Sequence, residues 1–119
     1  MHRMGTMLNA VCSCGYKKES VSFGAGQASF KDLCLAPACC PQCHSVVSVD
    51  FYSWDRACRE CGSPVTLYPE VRGDKDYEYG AGETWRVGPR QILYLPHDGN
   101  RCPKCDADEL TFAPFGFFD

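Results

Sequence analysis

The sequence C-P-Q-C-H at residues 40–44 places two cysteines three positions apart, with a proline directly after the first. Three further close pairs of cysteines occur in this chain of 119 residues, which holds ten cysteines in all. The four pairs are Cys12 with Cys14, Cys40 with Cys43, Cys58 with Cys61, and Cys102 with Cys105. Two thiolates on one tight turn converge on a single point, as a tetrahedral metal ion requires. The pairs therefore predict two metal sites with four sulfur ligands each.

The residues beside the cysteines fit turns that hold a metal ion. Proline has a preset φ, and it follows the first cysteine at Pro41 and Pro103. The residue after the second cysteine tends to take a positive φ, which Gly, Asn, Asp and His tolerate best. That position is occupied by Gly15, His44, Gly62 and Asp106. This agreement is independent of the number of cysteines and opposes the alternative of a disulfide framework.

At these residues the chain resembles the zinc-ribbon and rubredoxin-like superfamily, whose metal-binding turns, called knuckles, read C-P-x-C-G. The C-S-C-G sequence that begins at Cys12 is a shortened knuckle. The layout of residues 12–119, which ends in L-T-F-A-P-F-G-F-F-D, also looks like small bacterial tandem zinc-ribbon proteins of unassigned function. The resemblance implies a small, metal-bound, β-rich fold of two zinc ribbons with little helix. Such ribbons consist of knuckle-tipped β-hairpins and short antiparallel sheets, and they imply no activity.

Three groupings of the four pairs into two sites are open. Sequential grouping joins the first pair to the second and the third to the fourth, nested grouping joins the two inner pairs and the two outer pairs, and a cross-brace is the third choice. Strand-like segments follow the four knuckles at residues 16–23, 45–52, 65–68 and 110–112, and residues 91–95 lead into the last one. Each half then reads knuckle, strand, connection, knuckle, strand, which favours sequential grouping over the other two.

Sequential grouping divides the chain into two ribbons. Residues 1–52 would form the first, with Cys12 and Cys14 joined to Cys40 and Cys43. Residues 53–119 would form the second, with Cys58 and Cys61 joined to Cys102 and Cys105. Glycines and prolines predict a long inserted loop at about 69–89 in the second ribbon, and the first connection has room for a short turn of helix around 28–33.

Four thiolates around one ion leave no position for water or substrate, so a zinc ion in such a site is structural. The expected cofactors are two Zn²⁺ ions. Iron in the same cage would be an electron carrier, and it is disfavoured because no redox domain accompanies the sites. No nucleophile motif, phosphate-binding loop or cluster of catalytic carboxylates appears. We therefore expect a protein that is not an enzyme, with no small-molecule substrate.

Charge and apolar patterning bear on compartment and partners. The first residues lack the unbroken apolar run of a signal peptide, and no run approaches the ~18 residues of a membrane helix. We expect a cytoplasmic protein with reduced cysteines and no membrane contact. The formal net charge is −3; eight thiolates add −8 and two zinc ions add +4, which makes about −7. This charge disfavours nucleic acid, for which the best candidates are Lys17, Lys18 and Lys31 with Tyr16 and Phe23.

Residues outside the knuckles are candidates for two further roles. Cys34 and Cys39 are spare thiols, either buried as apolar groups or available as an alternate ligand or a redox pair. The second role is a contact patch for a partner, and the candidate residues are Trp85, Tyr77, Tyr79, Phe117 and Phe118. The alternative is that these side chains cover the core or lie in a solvated loop. The preferred function is a protein-interaction or adaptor module. A nucleic-acid-binding ribbon and a rubredoxin-like electron carrier or thiol redox sensor are the alternatives.

Overall fold

A computed structural model describes residues 5–25, 33–53, 56–73 and 80–118. Within these ranges the chain forms three antiparallel sheets and no helix, so it holds no helix able to span a membrane there. The prediction of a small β-rich fold is confirmed, whereas the predicted turn of helix falls almost wholly outside the described residues. The strands are β1 (Gly5–Cys12), β2 (Lys17–Phe23), β3 (Leu35–Cys40), β4 (Ser45–Asp50), β5 (Thr66–Leu67), β6 (Glu70–Gly73), β7 (Gly82–Gly88), β8 (Gln91–Pro96) and β9 (Leu110–Phe118).

The first sheet has the order β2-β1-β9 and joins the two ends of the described chain. Strand β1 pairs with β9 along its whole length, from Gly5 opposite Phe118 to Cys12 opposite Leu110. Alternate side chains of β1, including Leu8 and Cys12, are buried, as expected for a strand with one face on the core. This pairing brings the turn after β1 next to the turn that precedes β9.

The other two sheets have the orders β4-β3-β5 and β6-β8-β7. Residues 92–95 of β8 are all buried, which is typical of a central strand covered on both faces. Strands β6 and β7 both pair with β8, and both lie in the 69–89 segment for which a loop was predicted. That prediction was wrong for the two ends of the segment: glycine and proline are typical of loops, but several of those in this segment lie within or beside β6 and β7.

One hydrophobic core extends across both predicted ribbons. It includes Phe23 from the first and Phe112 from the second, both at most 1% exposed. The ring of Tyr68 packs edge-on against that of Phe112 with centroids 5.1 Å apart, while its hydroxyl donates to the Arg101 carbonyl. Two of the three sheets combine strands from both sides of the predicted boundary, since β1 pairs with β9 and β3 with β5.

Trp85 on β7 belongs to this core. Its side chain is only 6% exposed, which supports the interpretation that it covers the core and opposes the alternative that it offers a contact surface. The indole lies over Gly24, which has a φ of 98° and forms a bridge with Leu35 through two backbone hydrogen bonds. A Cβ at Gly24 would lie 2.6 Å from the Trp85 ring. Glycine is therefore required at residue 24 both by its φ and by this contact.

We expect Gly24→Ala to lower the free energy of unfolding by clearly more than Gly99→Ala does. Both positions have a positive φ, so each alanine incurs strain of about 1–2 kcal/mol. Gly99 has no atom within 4 Å of a new Cβ, whereas at Gly24 the Trp85 ring must move. Urea unfolding of the metal-loaded variants measures the difference. Equal losses in the two variants would contradict the packing of Trp85 on Gly24.

Candidate metal centres

The first group of four cysteines joins the two ends of the chain. It consists of Cys12, Cys14, Cys102 and Cys105, whose sulfur atoms all lie within 4.8 Å of one another, and we call it the outer cluster. The Cys12 sulfur is 3.7 Å from that of Cys105, and the Cys14 sulfur is 3.7 Å from that of Cys102. A tetrahedral zinc ion with Zn–S bonds of about 2.3 Å separates its sulfurs by about 3.8 Å. The outer cluster therefore has the dimensions of a site that could hold such an ion.

The second group lies in the middle of the chain and is called the inner cluster. Its members are Cys40, Cys43, Cys58 and Cys61, again with all sulfurs within 4.8 Å. The sulfur of Cys40 is 3.5 Å from that of Cys61, and the sulfurs of Cys43 and Cys58 are 3.9 Å apart. Both groups offer thiols alone, and each is able to hold a metal ion with two hairpin turns.

The grouping is nested, so the prediction of sequential grouping was wrong. Cys12 and Cys14 do not meet Cys40 and Cys43; they meet the last pair of the chain. The physical reason is the pairing of β1 with β9, which places the knuckle after β1 beside the knuckle before β9. The pattern of strands that follow the knuckles favours the wrong partner because it omits β1, which precedes the first knuckle.

The turns themselves match the prediction from the sequence. All four residues that follow a second cysteine have a positive φ: 100° at Gly15, 51° at His44, 75° at Gly62 and 64° at Asp106. In three of the turns the backbone N–H of that residue donates to the carbonyl of the first cysteine, at 3.0 Å for Gly15 to Cys12, 2.7 Å for Gly62 to Cys58 and 3.0 Å for Asp106 to Cys102. All four turns therefore share the positive φ that the sequence predicts, and a backbone hydrogen bond closes three of them.

Each cluster lies at the boundary between core and solvent. In every pair the first cysteine is buried and the second is exposed. Backbone N–H groups also approach the buried sulfurs: that of Cys43 lies 3.4 Å from the Cys40 sulfur, and that of Lys104 lies 3.4 Å from the Cys102 sulfur. Such donors stabilise thiolates and orient them for a metal ion.

Hydrogen bonds and neighbouring sulfurs shift the pKa values of these thiols in opposite directions. Hydrogen bonding with Ser63 lowers the pKa of Cys61 to about 6, whereas the Cys61 sulfur raises the pKa of Cys43 to about 12. In the outer cluster the backbone N–H of Cys14 lowers the pKa of Cys12 to about 7. One thiolate thus opposes ionisation of the next unless a cation is bound. Metal binding at neutral pH must release protons, so the affinity for metal falls as the pH falls.

Ser63 was not singled out from the sequence. It stands two positions after Cys61, and its carbonyl also accepts the backbone N–H of Cys58, which closes the third hairpin. A polar residue directly after the glycine of a knuckle is the one signal that marked it. The bridge between Ala57 and Pro64 forms the base of the same hairpin.

The two spare cysteines lie outside both clusters, so neither stands as an alternate ligand in this arrangement. Cys34 is 0% exposed and belongs to the hydrophobic core. Its backbone N–H donates to the carboxylate of Asp50. Cys39 is half-buried on β3, in the position before Cys40. Their role as a redox pair stays a prediction.

The other candidates for contacts differ in exposure. Phe117 is 68% exposed and Phe118 is half-buried on β9, while Tyr77 and Tyr79 lie outside the described residues. Among the residues considered for nucleic acid, Lys17 and Lys18 are exposed, and Lys31 lies outside the described part of the chain.

The two aromatic residues of that nucleic-acid candidate are occupied within the fold. Phe23 is 1% exposed, and Tyr16 packs against the core and accepts the backbone N–H of Val46 at its hydroxyl. Neither ring is free to stack on a base.

Comparison with known proteins adds no relative. No family model matches the chain, and neither the curated proteins nor the solved structures include a significant match. The two four-cysteine clusters in an all-β fold are consistent with zinc-ribbon-like sites. The identity of the metal and the function therefore have to be argued from the chain itself.

We expect Cys14→Ser to release metal from the outer cluster and leave the inner cluster loaded. When the folded Cys14→Ser variant is treated with an alkylating reagent, Cys102 and Cys105 should react, because they would share an ion with Cys14. The matched variant Cys43→Ser should instead expose Cys58 and Cys61. Mass spectrometry of the alkylated peptides reads out both patterns. Reaction at Cys40 in the Cys14→Ser variant, with Cys102 protected, would contradict the nested grouping.

Proposed function

We propose that this chain is a zinc-binding protein of the zinc-ribbon type that serves as a non-enzymatic protein-interaction module. The observation that supports the proposal is the convergence of eight cysteine sulfurs into two groups, each within 4.8 Å. Four sulfurs complete a tetrahedral shell, so no coordination position is left for water or substrate. The ions would act by holding the turns together.

Zinc is the metal that we propose for both clusters. Tetrahedral sites of four thiolates suit zinc or iron, and their geometry alone does not distinguish the two. Zinc requires no electron-transfer partner, and a structural zinc ion contributes ~10–16 kcal/mol to the folding of small fingers. Because so much of this chain consists of short strands and turns, such a contribution accounts for the presence of two sites in one small fold.

A protein partner fits the surface better than nucleic acid does. The formal net charge of the chain is −3, and eight bound thiolates with two divalent ions make it more acidic. The aromatic rings considered for base stacking, Tyr16 and Phe23, are engaged in the core. We propose that the protein works in the reducing cytoplasm, where free thiolates persist as ligands.

Protein purified without added metal should contain two zinc ions per chain and at most two readily reactive thiols, because only Cys34 and Cys39 lie outside the clusters and Cys34 is buried in the core. It should also be colourless, because zinc has a filled d shell. Elemental analysis, thiol counting and an absorption spectrum of the same sample measure these values. One zinc ion per chain, several disulfides, or visible colour with bound iron would each overturn the proposed cofactor.

The interaction role predicts a partner that remains bound at constant stoichiometry when the tagged chain is purified from its native cells. Treatment with nuclease should leave the complex intact, because we propose a protein partner. Cys43→Ser, which removes the inner ion, should reduce recovery of the partner, and Ser13→Ala serves as the control for substitution at an exposed knuckle residue. A complex that dissociates on nuclease treatment, or a chain that recovers no partner, would contradict the proposed role.

A further inference from the structure

A groove of about 550 Å³ lies between β2 and β4, each of which is the edge strand of its sheet. The two sheets meet at one end, where Gly24 bridges to Leu35. Its lining includes Lys18 and Ser20 from β2, Ser48 from β4, and Arg59 and Glu60 from the third knuckle. This volume lies within the range of specific binding sites.

A β-bulge in β2 shapes the first wall. Val21 lies opposite Leu8 and Lys18 opposite Ala10, so three steps along β2 match two steps along β1. Residues three apart in a regular strand point to opposite faces, but the bulge leaves Lys18 on the inner face with Val21. Lys18 therefore emerges on the side that faces the second sheet.

The bulge requires an unusual backbone conformation at Ser20. This residue has a φ of 59°, which is rare for a residue other than glycine within a strand. Its backbone N–H donates to the side-chain oxygen of Asn9 on β1 at 3.3 Å. Strain of this kind persists where the surrounding structure holds it, and it is concentrated at functional sites.

The edge of β4 supplies the second wall. The backbone N–H of Val46 donates to the Tyr16 hydroxyl at 2.8 Å, so it points away from β3. Alternate residues of an antiparallel strand direct their backbone groups to the same side. Ser48 is two positions after Val46, so its backbone N–H and carbonyl also point away from β3, towards the groove. An edge of this type can accept a further strand.

The charges at the groove are not balanced. Lys18 and Arg59 are exposed, and neither forms an ion pair with any residue in the described ranges. Glu60 is the acidic residue of the lining, which has no aromatic side chain. Two cations in one lining favour an acidic ligand, and the lack of aromatic rings in that lining gives no platform for stacking bases.

We propose that this groove binds an extended, acidic peptide segment of a partner protein, which adds to the edge of β4 and places a carboxylate between Lys18 and Arg59. The proposal rests on the interaction function proposed above and names its surface and partner chemistry. Cys43 lines the groove, and Arg59 lies between Cys58 and Cys61. The ion of the inner cluster would therefore hold the wall that carries Arg59.

The test uses the full chain with both metals bound and a synthetic seven-residue peptide of alternating threonine and glutamate. In NMR titrations this peptide should shift the backbone amide signals of β4, with the largest shifts near Ser48. A peptide with lysine in place of glutamate should bind at least about tenfold more weakly, because its charges oppose those of Lys18 and Arg59. A glutamate peptide methylated on alternate backbone nitrogens should lose binding, because it cannot pair with the strand edge.

Charge-reversal variants test whether Lys18 and Arg59 bind the peptide. Lys18→Glu and Arg59→Glu should each weaken binding of the glutamate peptide by about three- to tenfold, and the double variant should prefer the lysine peptide. Arg90→Glu, at an exposed turn between β7 and β8, is the matched control and should bind as the unmodified chain does. Retained dispersion of the NMR spectrum shows that each variant is folded.

The absence of β4 shifts, or equal affinity for the glutamate and lysine peptides, would overturn the groove proposal. The proposal would also be overturned if oligothymidylate displaced the glutamate peptide, shifted the same amide signals and bound more tightly. That result would assign the groove to nucleic acid. These outcomes are distinct from failure of the interaction function. If the chain holds two zinc ions and a native protein partner but does not bind the peptide, the interaction function stands and only the assignment of this groove fails.

Discussion

The convergence of four cysteine sulfurs at each of two points is the constraint on which the rest of the structure depends. Sulfurs that lie within 4.8 Å of one another cannot all be ionised without a cation, as the opposed pKa shifts of Cys61 and Cys43 illustrate. A divalent ion bound at each point would compensate this repulsion. The strands must therefore bring the four hairpin turns together in pairs, as the pairing of β1 with β9 does for the outer cluster.

The two clusters connect different parts of the fold. The outer cluster lies at one end of the β1–β9 pairing, so an ion bound there would act together with the backbone hydrogen bonds between these two strands. The inner cluster lies beside the groove between β2 and β4 and positions the knuckle that carries Arg59. In the proposed groove, an ion in the inner cluster would affect binding without touching the peptide, because it would fix where Arg59 lies.

Local features of this protein were predictable from its sequence, and the long-range ones were not. Positive φ at His44 and Asp106, strand β4 and strand β8 follow from residue type and alternation over a few positions. The nested grouping depends on β1 pairing with β9, residues about a hundred positions apart, and no local pattern reports that contact. Strands β6 and β7 were missed for a related reason: the glycines around them resemble loop markers until β8 lies between the two strands.

The nested arrangement also sets the order in which the two cysteine sites are completed during synthesis. Cys43 and Cys58 of the inner cluster are 15 positions apart, whereas Cys14 and Cys102 of the outer cluster are 88 apart. Closing the longer loop costs about 1.6 kcal/mol more in chain entropy. During translation the inner site can take its ion once Cys61 has left the ribosome, but the outer site must wait for Cys105. Until then Cys12 and Cys14 lack the two cysteines that complete their site. The thiols of the first knuckle are then open to oxidation or to binding the wrong ion.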